Sequence, residues 1–183
     1  MRLLSFLLAA TLFAADPQYD SARKKLDLIE ASQAPRGSVI TFTPAEINAW
    51  ARVTVPEIVP EGMRDMRVEL GTNTASGFAV VDFLKMRQAK GMTTNWLLTK
   101  VIEGERPLRV GVRVESSNGR CTAYLTRVEL SNVVASKVVL DFLLNTFFRP
   151  LYPEAHIDEA FDLDYNIERV DIRPTGARVV IKK

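Results

Sequence analysis

The segment from Leu108 to Leu130 constrains this chain more than any other. Leu108, Val110, Val112 and Val114 alternate with Arg109, Gly111, Arg113 and Glu115, and strict alternation of apolar and polar residues is the period of a half-buried strand. Asn118-Gly119 follows, a strong hairpin signal. The return strand spans 120–130, and its alternation changes phase at Thr126-Arg127, which predicts a β-bulge. A hairpin of this length needs an antiparallel sheet around it, with one face buried.

The rest of the chain reads as elements that serve such a sheet. A helix is predicted over 21–31, with Ser21 as its cap and Leu26, Leu28 and Ile29 on its apolar side. Pro35 and Gly37 break the chain, and Val39, Ile40 and Phe42 form a short strand. Thr43-Pro44-Ala45-Glu46 is a helix start: Thr43 caps, Pro44 takes the first helical position and Glu46 completes a capping box. That helix is expected to end before Pro56, because the residue preceding proline disfavours helical geometry. Residues 56–62 read as a loop, Met66, Val68 and Leu70 as a half-buried strand, 71–77 as a turn, and 78–86 as a central strand apolar on both faces. A polar loop over 88–92 and a short helix over 94–102 come next. An apolar helix over 136–149 and a C-terminal hairpin over 165–181, turning at Pro174-Thr175-Gly176, complete the order. The class is α+β: a mostly antiparallel β-sheet with short helices packed on it. No repeat or linker divides residues 16–183, which form a single β-rich domain with a helical N-terminal segment.

The first fifteen residues stand apart. Met1-Arg2 is a short positive stretch, residues 3–15 are apolar, and small residues precede a cut after Ala15, the pattern of a secretory signal peptide. The run is shorter than the roughly 20 apolar residues of a membrane-spanning helix. Phe13 occupies a position where a small residue is preferred, so an uncleaved N-terminal anchor is the alternative. The expected location is periplasmic or extracellular, with peripheral membrane contact compatible with it. Lys and Arg total 24 against 22 Asp and Glu, a formal charge of +2. That is too near neutrality for a dedicated nucleic-acid binder. Cys121 is the single cysteine, so the domain has no internal disulfide and relies on core packing.

Reactive side chains are scarce. A hydrolytic triad needs a base beside its nucleophile, and the one histidine, His156, sits in an acidic, Pro-containing stretch with no Gly-x-Ser-x-Gly elbow in the chain. One His and one Cys make no zinc motif. Asp158, Glu159, Asp162 and Asp164 lack the spacing of a calcium loop and read as a solvated acidic loop. Glu46, Glu61, Glu103 and Asp141 are the carboxylates available to a glycosidase-like pair. The expectation is a non-enzymatic protein with no catalytic residue, no metal and no cofactor; a carboxylate-based hydrolase is an alternative.

Apolar surface is plentiful instead. In 136–149, Val138, Val139, Leu140, Phe142, Leu143, Leu144, Phe147 and Phe148 leave only Asp141 and Asn145 as a polar stripe. A helix this apolar is buried broadly, as a core helix or as one wall of a hydrophobic cavity. Arg109 and Arg113 share one face of their strand. Arg127, Arg169, Arg173 and Arg178 join them if the two hairpins share a sheet, and Glu115, Glu129, Glu168 and Asp171 are the counter-charges of an ordinary solvated face.

The octapeptide Thr43-Pro44-Ala45-Glu46-Ile47-Asn48-Ala49-Trp50 resembles a motif, T-x-x-E-hydrophobic-N-A, of poorly characterised exported or membrane-anchored bacterial proteins, the YpmS-like family among them. Trp96-Leu97-Leu98 followed by Gly104-x-x-Pro107 is similar to the same kind of protein. The resemblance implies an elongated, curved sheet with helices against it and a lipid-related role at the cell envelope. Taken with the composition, the expected function is binding of a lipid-like or other apolar ligand, with Trp50, Trp96, Phe142 and Phe147 lining a cavity between the sheet and the 136–149 helix. An envelope protein is the other candidate partner, for a filled-core interaction or scaffold module.

Overall fold

The structure is a computed structural model that describes residues 16–58, 61–89, 91, 103–135, 140–141, 144–145 and 157–183. The segment 1–15, the helix expected over 94–102, and Trp96, Phe142, Phe147 and His156 lie outside the described residues. Of 136–149 only 140–141 and 144–145 lie inside them.

Helix α1 spans Pro17–Glu30 and starts earlier than Ser21. Asp16 is its cap, accepting from the Gln18 N–H at 3.0 Å, and Pro17 takes the first helical position, where a missing N–H costs nothing. The helix ends in a Schellman turn: the N–H of Ser32 reaches the Ile29 carbonyl and that of Gln33 the Leu28 carbonyl. Strand β1, Val39–Phe42, leads into α2, Pro44–Ile58. The capping box forms as expected, with the Glu46 N–H donating to Thr43 Oγ1 at 3.2 Å and the Thr43 N–H to Glu46 Oε2 at 2.7 Å. Helix α2 runs through Pro56 instead of stopping before it. In the last turn a proline removes only the bond to the carbonyl four residues back, here that of the exposed Arg52.

Strands β2, Met63–Leu70, and β3, Thr74–Val81, form a hairpin. The expected turn over 71–77 is shorter, because Asn73 supplies the left-handed residue with φ 54° and pairing resumes at Leu70 with Ala75. The strand expected over 78–86 stops at Val81. Asp82 then accepts from the Lys85 N–H at 3.0 Å and starts helix α3, Phe83–Ala89, so Gln88 and Ala89 are helical, not loop. Strand β4, Arg106–Ser117, and strand β5, Arg120–Leu130, flank a turn in which Asn118 and Gly119 have φ of 51° and 73°, the signature of a type I′ turn. Gly111 pairs with Arg127 and Val112 with Leu125, leaving Thr126 as the bulged residue. Strand β6 is Val133–Val134. Strand β7, Ala160–Asp162, arises within the stretch read as an acidic loop and pairs with β5. Strands β8, Ile167–Arg173, and β9, Gly176–Ile181, form the C-terminal hairpin.

The strands make two antiparallel sheets. The smaller has the order β1-β9-β8; the larger is β2-β3-β4-β5-β6, with β7 also on β5. The two long hairpins therefore lie in different sheets, and Arg169, Arg173 and Arg178 do not extend the arginine face of β4 and β5. The small sheet is covered by α1 and α2 around Ala22, Ile29, Phe42, Val179 and Ile181. Gly176 seals its corner: at φ 146° a Cβ there would meet the Phe42 carbonyl oxygen at 2.3 Å, a position only glycine fills. In the large sheet, α3 covers one end through Val81, Phe83 and Met86.

Asn48 joins the two halves. Its Oδ1 accepts from the Val68 N–H at 2.8 Å, and its Nδ2 donates to the Val68 carbonyl at 2.8 Å and to the Pro44 carbonyl at 2.9 Å. Val68 is on β2, the edge of the large sheet. The side-chain amide thus satisfies backbone groups of a strand edge that would otherwise be available to another chain.

Candidate functional site

Alternation and register divide the large sheet into two unlike faces. On one face, Arg67 pairs with Phe78, Phe78 with Arg109 and Arg109 with Glu129. The Phe78 ring lies between two guanidinium groups, 4.4 Å from that of Arg67 and 5.1 Å from that of Arg109, and Arg113 lies 4.2 Å from the centre of the Tyr124 ring. Each arginine also has a carboxylate: Arg67 with Glu69, Arg109 and Arg127 with Glu129, Arg113 with Glu115. Interspersed, mutually neutralised charges of this kind make a soluble surface, with the cation–π contacts holding the long side chains flat.

The other face is apolar. Val68, Gly77, Val110 and Val128 form one row across four strands, and Leu70, Ala75, Val112 and Leu125 form the next. Along β3 this face carries Ala75, Gly77 and Ala79, all small, before the buried Val81 at the end of the strand, while β2 and β4 carry Val68, Leu70, Leu108, Val110 and Val112 on either side. The result is a trough along β3 with aliphatic banks. Among the described residues, nothing lies within 4 Å of the place where a Gly77 Cβ would stand. Of the eight residues in the two rows only Val128 is buried; the other seven are half-buried. Each half-exposed aliphatic side chain leaves on the order of 1 kcal/mol of burial unrealised.

Among the four residues expected to line a cavity, Trp50 alone is described. It packs against the small-sheet core with Ile29 and Phe42 and is not part of either apolar row. The residues the sequence reading missed are Ala75 and Gly77. In the sequence Gly77 reads as the end of a turn; the signal that points to its actual place is that a glycine inside a strand marks a site of close approach. One concavity of about 330 Å³ lies against the small sheet, with Arg36, Tyr165, Asn166 and Lys182 in its wall; its lining is polar and cationic, unlike the trough.

The buried carboxylates among the described residues are Glu46 and Asp82, and each is held by structural bonds. Glu46 bonds Ser21 Oγ, the Lys25 ammonium at 2.6 Å and the Thr43 N–H. Burial alone would raise its pKa; the bonds from Lys25, Ser21 and Thr43 outweigh it and hold the carboxyl at about 2. Lys25 also donates to the Thr41 carbonyl at 2.8 Å, so the network ties α1 to β1 and α2. Ser21, expected as a helix cap, is a member of this network. In the acidic stretch, Asp158 Oδ1 accepts from the Leu125 N–H at 2.9 Å and Asp162 pairs with Arg120. No group of three or more metal-binding side chains occurs among the described residues. No described helix is long and apolar enough to cross a membrane. Burial raises the Cys121 thiol above its ordinary value, away from the reactive thiolate. Searches of protein-family models, of curated proteins and of solved structures return no match to this chain.

Proposed function

We propose that this is a non-enzymatic binding protein for a lipid-like or other apolar ligand at the cell envelope, held against the apolar face of the large sheet. The observation that carries the reading is the trough over Gly77, flanked by Val68 and Val110 in the same row, where no described atom comes within 4 Å of the place of a Cβ. A glycine at the centre of a strand gives up side-chain packing, and that loss is offset where a ligand occupies the space. The opposite face supplies solubility through its paired charges. The resemblance of Thr43 to Trp50 to exported envelope proteins points the same way, and the segment 1–15 fits delivery there.

The test is binding of N-phenyl-1-naphthylamine, a neutral dye that fluoresces in apolar surroundings. Saturable binding to the pure protein is expected, and Gly77→Phe, which fills the trough, should weaken it at least tenfold while the circular dichroism spectrum stays that of the parent. Absence of saturable binding, together with no lipid in an organic extract of the purified protein, would sink the reading.

A further inference from the structure

The concavity against the small sheet has a chemistry of its own. It lies where β9 finishes and β8 begins, and its volume of about 330 Å³ is at the lower end of the range for small-ligand sites. Three cations stand in its wall, Arg36, Lys182 and Lys183, and no described Asp or Glu does. All three are exposed, and none is in an ion pair with a side-chain or terminal carboxylate among the described residues. On the sheets themselves Arg67, Arg109, Arg113, Arg127 and Arg169 each meet a carboxylate. Cations of one sign in a concave wall differ from such a mixed surface: they add their fields and concentrate anions there.

The backbone sets the wall. Gly37, at φ 72°, turns the chain after Arg36, and its N–H donates to the Lys182 carbonyl at 3.0 Å. A Cβ on Gly37 would stand 3.5 Å from Lys183 Cγ, so the Lys183 stem lies over this turn, next in the chain to Arg36. The Lys182 ammonium reaches the other way, 2.8 Å from the place of a Cβ on Gly119. Opposite, the Lys182 N–H donates to the Asn166 carbonyl at 2.8 Å, and the Ile167 N–H closes a turn on the Asp164 carbonyl at 3.1 Å. The central residues of that turn, Tyr165 and Asn166, have φ of 55° and 58°. Asparagine accepts this conformation; for a tyrosine it is strained. The turn alone would be served by asparagine or glycine, so Tyr165 carries a backbone cost that holds an exposed ring at the concavity. Conflicts of this kind gather at binding sites. Ser32 adds a hydroxyl at the end of α1. The Leu28 and Ile29 carbonyls there already accept from Gln33 and Ser32, which mutes the negative helix end towards an anion.

We propose that this concavity is a second binding site, separate from the trough, for a phosphate monoester of glycerol, free in solution or as the head of a lipid. A phosphate monoester carries close to two negative charges at neutral pH and so matches a pair of cations. Arg36 offers a planar fork of donors and Lys183 a point charge. Ser32, Tyr165 and Asn166 supply hydroxyl and amide groups for the glycerol oxygens.

Two probes test this and separate the sources. Glycerol 3-phosphate is titrated into the full-length protein by calorimetry, and sedimentation compares phosphatidylcholine vesicles with and without phosphatidic acid. Wild-type protein should bind glycerol 3-phosphate saturably, which identifies a free ester, or bind only the vesicles that hold phosphatidic acid, which identifies a lipid head. Arg36→Gln with Lys183→Gln should weaken that binding by about tenfold or more, the size of a charge-assisted hydrogen bond. Arg173→Gln with Arg178→Gln removes the same charge from the small sheet outside the concavity and should leave binding at the parent level. A wild type that binds neither probe overturns the inference, whether or not the variants fold. Equal affinity of the two double variants overturns it too, because overall charge then accounts for the binding. Dye binding to the trough is read separately and does not depend on either outcome.

Discussion

Glu46 shows how a single buried carboxylate sets the acid sensitivity of this protein. Its pKa is lowered from 4.5 to about 2 in the folded chain. A depressed carboxylate pKa adds stability that is complete above the unfolded value and disappears as the pH falls through the folded one. The window is therefore from about pH 5 down to pH 2, and the contribution is about 3 kcal/mol. Urea unfolding at a series of pH values should show this loss in the wild type. Glu46→Gln should be less stable at pH 7 and should lack that part of the acid slope; a mutant slope equal to the parent's would refute the assignment. Asn48 works through geometry instead of charge. Asn48→Ala strips both Val68 backbone groups of their partner, and a loss of about 2 kcal/mol in urea unfolding is expected. Asn48→Asp keeps the acceptor but cannot donate to the Val68 carbonyl, so it should recover only part of that loss. Both residues were visible in the sequence as parts of one octapeptide. The capping box was readable because its partners are three residues apart. The bonds to Lys25, Ser21 and Val68 were not, because 20 or more residues separate the partners.

Elements announced themselves in proportion to how local their causes are. Strand β5 matches the expected 120–130, and the bulge lies at Thr126 as the phase change requires. The final hairpin turns where Pro174 and Thr175 place it, between Arg173 and Gly176. The run from Phe78 to Met86 misled because an apolar stretch without clear period fits a buried strand and a packed helix equally. Asp82 decides between them by capping α3, and its removal isolates that effect: Asp82→Ala should cost about 1 kcal/mol. Loss of the helical signal of α3 with β3 intact, by hydrogen exchange, would locate the damage. The apolar row of β4 was legible at once. The trough beside it was not, because it depends on which strand lies next to β4 and on Ala75, Gly77 and Ala79 sharing one face. Gly77→Val separates packing from binding at this position. A Cβ there meets no described atom within 4 Å, and valine suits a strand better than glycine. The variant should melt at the parent temperature or above it and still bind the dye more weakly. A lower melting temperature would mean that the space over Gly77 is filled by the protein itself.

At the scale of the molecule, the described residues form two sheets with separate cores, and the ligand proposed for one should be felt by the other. Helix α2 belongs to the small-sheet core through Trp50 and touches the large sheet through Asn48 and Val68. Strand β8 adds a second tie, with the Val170 N–H donating to Ser116 Oγ at 3.0 Å and the Asn73 N–H to the Ile172 carbonyl at 3.0 Å. Bonds to β2, to the turn that follows it and to β4 make independent melting of the two cores unfavourable. Trp50 is then a reporter placed in one core for an event in the other. In a Trp96→Phe background, its fluorescence should follow the same urea transition as the far-ultraviolet dichroism. A ligand that binds only the folded state, at a free concentration 100 times its Kd, should raise the stability read at Trp50 by about 2.7 kcal/mol. Asn48→Ala should weaken this coupling, so that Trp50 unfolds at lower urea than the β-sheet signal and responds less to ligand. If instead the Trp50 transition ignores a ligand that stabilises the sheet signal in the unmutated joint, the two cores are independent and the Asn48 bonds serve only to close the strand edge.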